Sequence, residues 1–322
     1  MNNILLSNEV IIFLFTQVIL FILLIIAFYY SLTIINKWDY SKTTSTQYKL
    51  EKRSYLVILI ISFVMLIKIF LMPYFAFTID KLSNIIPGAM CAAGVISANN
   101  YGGPLFVLKL FIVFFIALWL IINKFDLKSK EYKYTKAKFI FFIFIFFLIL
   151  IETIIDILYF TNISTKEPVL CCTIIFGTAT TSSTIPFNLS ITLLLILFYL
   201  LYFLLIIANI QKQKFLNFIT SILFIYISYF SVTYFFSTYI YELPTHQCPF
   251  CILQHEYYYI GYIIWSTLFL GTFFSIATYL LPFAIKEPLD KFYKYSMIFN
   301  TIFVFICTFY VLRFYFLNSV FL

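Results

Sequence analysis

An all-α, polytopic membrane bundle of about eight transmembrane helices is the fold this chain predicts, and three observations predict it. Of 322 residues, 63% are hydrophobic and only 11% are charged, with a mean hydropathy of +1.02, which excludes a soluble globular protein. Apolar runs of about 20 residues recur along the whole length, each long enough to cross a ~30 Å hydrocarbon core. The charges fall mostly in the short gaps between those runs. Because backbone polar groups in hydrocarbon must be satisfied within their own segment, the runs should be helices.

The first run, about 11–35, lacks the basic start and short apolar core of a cleavable leader, so it reads as a retained span. Segment 36–54 then carries Lys37, Lys42, Lys49, Lys52 and Arg53. Spans follow at about 55–77 and 105–123, separated by loop 78–104. Segment 124–138, with six lysines including Lys124, Lys130 and Lys138, leads into the span at about 139–161. Loop 162–186 precedes spans at about 187–210 and 217–240, which are joined by a turn bearing Lys212 and Lys214. Loop 241–256 leads to the span at about 257–281, and 282–296, with Lys286, Lys291 and Lys294, to the last at about 297–317. No internal repeat is evident and no loop is long enough for a soluble domain, so 1–322 reads as one polytopic domain.

Sixteen of the 21 basic residues therefore lie on one face, whereas the opposite loops hold Lys81 and Lys166. The positive-inside rule makes the basic loops cytoplasmic and both termini non-cytoplasmic. The net charge of +8 is thus an orientation signal rather than a nucleic-acid footprint. The outer loops collect Cys91, Cys171, Cys172, Cys248 and Cys251, five of the six cysteines, with five of the seven glycines and six of the nine prolines. Function is expected on that outer face. The sixth, Cys307, lies mid-span and is expected to be packing.

Cys248-Pro249-Phe250-Cys251 is the segment richest in chemistry. Two thiols at this spacing facing an oxidising compartment form a disulfide or hold a soft metal. A helix expected to start near Glu256 would stabilise the Cys248 thiolate through its dipole and unpaired amides. Adjacent Cys171 and Cys172 bridge each other only with strain. One of them is expected to pair with Cys91, or the two to act as separate ligands.

Cys248-Pro249-Phe250-Cys251-Ile252-Leu253-Gln254 resembles the motif of the disulfide-generating membrane protein family DsbB. In that family the CxxC is periplasmic, sits at the start of a transmembrane helix, and passes electrons from a soluble thiol oxidase to a membrane quinone. The resemblance covers about seven residues, and His255 stands where the family typically has Arg. It implies that Cys248 and Cys251 are the quinone-linked pair, and that Cys91 with Cys171 or Cys172 faces a thioredoxin-fold partner. It further implies a bacterial inner membrane with the reactive loops on the periplasmic side.

A soft-metal site is the competing expectation. His246, Cys248, Cys251 and His255 offer two thiolates and two imidazoles within ten residues, a donor set suited to Zn²⁺ or Cu(I). Cys251 and His255 would share a face if the helix had begun there. A third expectation is a structural or assembly protein in which a disulfide staples the outer loops.

Four ionisable residues fall within spans: Lys68, Lys109, Glu152 and Asp156. Each costs on the order of 3 kcal/mol near the bilayer centre unless paired or hydrated. Glu152 and Asp156 are four apart and share a helix face, so a lysine–carboxylate cluster between the second, third and fourth spans would remove that cost. Beside His255, these four are also the candidate contacts for a quinone or a proton relay. The leading expectation is a membrane thiol–disulfide oxidoreductase exchanging electrons between an extracytoplasmic thiol partner and a carrier such as quinone.

Overall fold

The computed structural model of the chain describes residues 4–38, 44–129, 133–165, 168–169 and 189–322. Among these, every regular element is helical, and eight helices are long and apolar enough to cross a membrane. The protein is an all-α integral membrane protein, and each of the eight runs has its helix.

In chain order the α-helices are α1 (Asn8–Lys37), α2 (Ser45–Leu82), the short α3 (Ala92–Ile96), α4 (Gly102–Lys128) and α5 (Thr135–Thr161), then α6 (Ile191–Ile210), α7 (Lys214–Ser231), α8 (Ser237–Tyr241), α9 (Ile260–Leu280) and α10 (Asp290–Asn318). A π-helical turn, Val232–Phe236, joins α7 to α8, so the pair makes one span, Lys214–Tyr241. Helix α2 outruns its apolar stretch at both ends. Its polar first turns are held by Thr44, whose side chain accepts the Gln47 N–H at 3.4 Å. Helix α6 starts at Ile191 because Ser190 caps it, accepting from Leu193 N–H at 3.2 Å.

The chain forms two compact units. One comprises Met1–Pro87, Val95–Val169 and Phe283–Glu287; the other comprises Gly88–Gly94, Leu170–Pro282 and Pro288–Leu322. The first is built on α1, α2, α4 and α5. Helix α1 buries Val10, Phe13, Gln17, Leu20, Leu24, Ala27, Ser31 and Ile34, a strict three–four alternation that gives a narrow seam. Ile11, Ile12, Phe15, Val18 and Ile22 on its other face stay exposed, as lipid contact requires.

At one end of this unit lies a buried pair not foreseen from the sequence, where Lys138 counts as a loop lysine. Its ammonium meets Asp126 at 2.5 Å with both side chains fully buried, while Asp126 also accepts from Thr135 Oγ1 at 2.7 Å and from Tyr134 N–H at 2.8 Å. The pair closes the α4–α5 turn.

The second unit holds α6 to α10. Its π turn has a local cause. Thr233, Ser237 and Thr238 donate their hydroxyls back to the carbonyls of Tyr229, Thr233 and Phe235 at 2.7–2.8 Å, which loosens the regular ladder. Helices α9 and α10 approach closely at Gly271, where a Cβ would stand 2.3 Å from Asn300 Oδ1.

Candidate functional site

The cysteine site belongs wholly to the second unit and is built on the 242–259 connection between α8 and α9. Helix α8 stops at Glu242, which takes a left-handed φ of 55°. After a turn closed by His246 N–H to Leu243 carbonyl (3.2 Å) comes the CxxC segment. Its second cysteine opens a three-residue 3₁₀ turn, Cys251–Leu253, and a second such turn, His255–Tyr257, follows. Tyr258 and Tyr259 both take left-handed φ values, 53° and 56°, and α9 begins only at Ile260. The first turn of α9 lies against the motif: a Cβ on Gly261 would stand 2.8 Å from the Ile252 carbonyl.

This corrects two expectations. Cys248 is not at the amino end of a helix that starts near Glu256, so no helix dipole acts on it. Cys251 and His255 do not share a helix face, because no α-helix has begun there. Two left-handed tyrosines and two 3₁₀ turns intervene instead.

Side chains hold the loop backbone. The Tyr241 hydroxyl donates to the Cys248 carbonyl and accepts the Ile252 N–H at 3.0 Å, so one phenol satisfies groups on both sides of the motif. The Trp265 indole N–H donates to the Pro249 carbonyl at 3.1 Å. The Tyr241 ring also packs edge-on against His246 (4.2 Å between centroids) and Tyr257 (4.7 Å).

The segment Gly88–Gly94 brings the third sulfur. Gly88, at φ 80°, makes a turn that an L residue would strain. Gln254 Nε2 then donates to the Met90 carbonyl at 3.0 Å, tying the segment to the CxxC loop. Cys91 Sγ lies 3.6 Å from Cys248 Sγ, and the sulfurs of Cys91, Cys248 and Cys251 all lie within 4.8 Å of one another. All three side chains are buried, Cys91 completely.

His246 is buried beside them. The sulfurs of Cys248 and then Cys251 push its imidazole up to about 9, against the opposing effect of burial. Its Nε2 is buried and makes no hydrogen bond among the described residues. Burial first and Cys251 second raise the Tyr257 phenol. His255 is exposed, with its ring 5.8 Å from that of Tyr259, and does not join the three cysteines. Cys171 and Cys172 lie outside the described residues. Cys307 is fully buried in the apolar core of this unit, with Phe198, Phe224 and Phe303.

The other predicted residues meet in the first unit. Lys68 (α2) contacts Glu152 (α5) at 2.5 Å, and Lys109 (α4) contacts Glu152 at 2.7 Å and Asp156 at 2.9 Å. Gln17 on α1 completes the group, accepting from Lys68 at 3.0 Å and donating to Thr153 at 3.1 Å. A cleft lined by Phe13, Lys68, Leu71, Met72, Lys109, Ile112, Val113 and Glu152 has room for about one water molecule.

Three contributors escaped sequence reasoning. Gln17 carried a usable signal, as a polar side chain deep in an apolar run. Tyr241 carried none in a chain with 26 tyrosines, and nothing in the spacing around Trp265 marks it. No family model matches the chain, and neither do curated proteins or solved structures.

Proposed function

We propose that the protein is a membrane thiol–disulfide oxidoreductase with Cys248 and Cys251 as its redox pair and Cys91 as the relay cysteine. The single observation that supports this most strongly is the 3.6 Å separation of Cys91 Sγ and Cys248 Sγ. Attack of a thiolate on a neighbouring disulfide sulfur needs such proximity, together with a deprotonated attacker and a good leaving thiolate. With a Cys248–Cys251 disulfide, the Cys91 thiolate attacks Cys248, an S–S bond forms between them, and Cys251 leaves as a thiolate. That exchange moves the disulfide without net oxidation.

The net reaction oxidises a partner. Two thiols of an extracytoplasmic, thioredoxin-fold protein become a disulfide, and their two electrons pass through the cysteines of this chain. A membrane carrier such as a quinone accepts those electrons with two protons and becomes a quinol. The resemblance of the CxxC segment to the DsbB family supports this direction, and the basic loops support an orientation with the cysteines on the periplasmic side of a bacterial inner membrane. Burial of all three sulfurs requires the loop held by Tyr241 and Gln254 to yield before a partner thiol reaches them.

The test is a Cys251→Ser protein oxidised mildly in membranes and mapped by peptide mass spectrometry. A Cys91–Cys248 disulfide should accumulate, and oxidation of a thioredoxin-fold substrate should stop. Unchanged substrate oxidation, or Cys91 and Cys248 each still open to alkylation, would remove the proposal.

A second reading is favoured by the same triangle. Thiolates bound to one ion at about 2.3 Å stand roughly 3.8 Å apart, close to the 3.6 Å seen for Cys91 and Cys248. Three sulfurs suit Cu(I) or Zn²⁺, and the protein would then handle soft metal. Purified protein would carry near-stoichiometric metal, lost in Cys91→Ser; metal-free protein that still exchanges disulfides would end this reading.

A further inference from the structure

The four-helix charge cluster of the first unit is paired unevenly, in a way that points to a ligand. Glu152 is saturated: Lys68 holds one carboxylate oxygen at 2.5 Å and Lys109 holds the other at 2.7 Å. Asp156 is not. Lys109 holds Oδ2 at 2.9 Å, while Oδ1 is buried with no hydrogen-bond partner among the described residues, on a residue with no exposed surface.

A bare carboxylate oxygen away from water is expensive, because it keeps the full desolvation penalty of a charged acceptor. A purely structural ion-pair network would supply a donor there. A proton on Oδ1 lowers the penalty, because it turns the carboxylate into a neutral acid that is far cheaper to bury. The cluster then carries two cations and one anion, with Glu152 still between Lys68 and Lys109. The Lys109 ammonium lies over the rings of Phe13 and Phe75, 4.9 and 4.6 Å from their centroids, which adds cation–π stabilisation.

We propose that the first unit contains an intramembrane proton-binding site, with Asp156 as the residue that takes up and releases the proton, Lys109 as its fixed counter-charge and Glu152 as the like charge that favours protonation. The groups that set its affinity come from every helix packed there. Helix α1 brings the uncharged Gln17, α2 brings Lys68, α4 brings Lys109, and α5 itself brings Glu152 and, one turn on, Tyr159, whose hydroxyl donates to the Val95 carbonyl at 2.9 Å. Asp156 lies five residues before the end of α5, about 8 Å along the helix, so the proton exchanges with the side on which α5 ends. The site stands whether or not the cysteines exchange disulfides.

The experiment is pH-difference infrared spectroscopy of the full-length protein in lipid nanodiscs, in H₂O and D₂O. One carboxylic-acid C=O band should titrate reversibly, shift on deuteration, vanish in Asp156→Asn, and move in frequency but persist in Asp156→Glu. A wild type with no titrating carboxylic-acid band overturns the proposal without any variant. A band unchanged in both variants assigns the proton to another residue and overturns it equally. Should Asp156→Asn fail to fold, the wild-type titration and the band position in Asp156→Glu decide the matter. Cys248→Ser should leave the band in place, which separates this site from the thiol reading.

Discussion

Replacing Glu152 with Gln should destabilise the protein by about 3–5 kcal/mol, because it breaks two buried ion pairs at once. The carboxylate holds Lys68 at 2.5 Å and Lys109 at 2.7 Å, with every side chain concerned at most 4% exposed. At an effective dielectric near 20, each contact is worth roughly 6 kcal/mol of gross attraction. Desolvating three charged groups offsets most of that, several kcal/mol per ion. The net loss is large because the remaining charges are left without compensation. Lys68 keeps Gln17 alone as a described hydrogen-bond partner, and a cluster of two cations and two anions becomes net positive. The control is Lys68→Met/Glu152→Gln, which restores neutrality around the Lys109–Asp156 pair and should lie within about 1–2 kcal/mol of wild type, since neutral replacement of a buried pair costs little. Reversible unfolding in mixed micelles, followed by far-ultraviolet circular dichroism and tryptophan emission, gives all three stabilities. A Glu152→Gln cost below about 1 kcal/mol, or a double variant weaker than the single, would refute the view that these contacts compensate buried charge.

Three further outcomes follow. Gly271→Val should cost about 1–3 kcal/mol through overpacking of α9 against Asn300, whereas Gly103→Ala, whose new Cβ meets nothing within 4 Å, should leave the thermal midpoint almost unchanged; equal effects would contradict the packing. Tyr241→Phe removes two backbone contacts of the CxxC loop and should cost about 1–3 kcal/mol while speeding alkylation of Cys248; an unaltered alkylation rate would mean the phenol does not hold the loop. His246 should titrate near 9 rather than 6.5. Because its folded value is raised, the associated stabilisation is complete below about 6.5 and is lost as pH rises through 9. Histidine NMR should show the midpoint falling toward 6.5 in Cys248→Ser/Cys251→Ser, and a midpoint indifferent to both cysteines would remove the sulfurs as its cause.

What was legible in the sequence, and what was not, divides along the range of the forces involved. The eight spans were legible because hydrocarbon leaves the backbone one solution, and a run such as Ile191–Ile210 can only be a helix. The Lys68–Lys109–Glu152–Asp156 group was legible for a related reason: unpaired charge in that medium is costly enough that residues on separate helices must find one another. Asp126 and Lys138 obey the same rule, yet they flank a basic turn, where solvation explains a lysine equally well. Nothing in the spacing separates the two explanations.

The cysteine site depends on weaker constraints and was legible only in part. Five loop cysteines could be counted, but joining Cys91 to Cys248 across 157 residues rests on a glycine turn, a Gln254–Met90 hydrogen bond and the placement of Tyr241, each worth about 1 kcal/mol. Forces of that size leave no periodic trace in a sequence. They also explain why the start of α9 was misplaced. Tyr257, Tyr258 and Tyr259 suit an interfacial helix as well as they suit a turn, and left-handed φ values at Tyr258 and Tyr259 reflect the anchoring of Cys248, Pro249 and Ile252 rather than the preference of tyrosine. The proposed thiol exchange needs the same weakness. A loop held by a few hydrogen bonds can open to a partner and close again, whereas a site built from buried ion pairs could not. On the readings proposed above, the buried ion pairs of the first unit would hold the proton and the hydrogen-bonded loop of the second would present the sulfur.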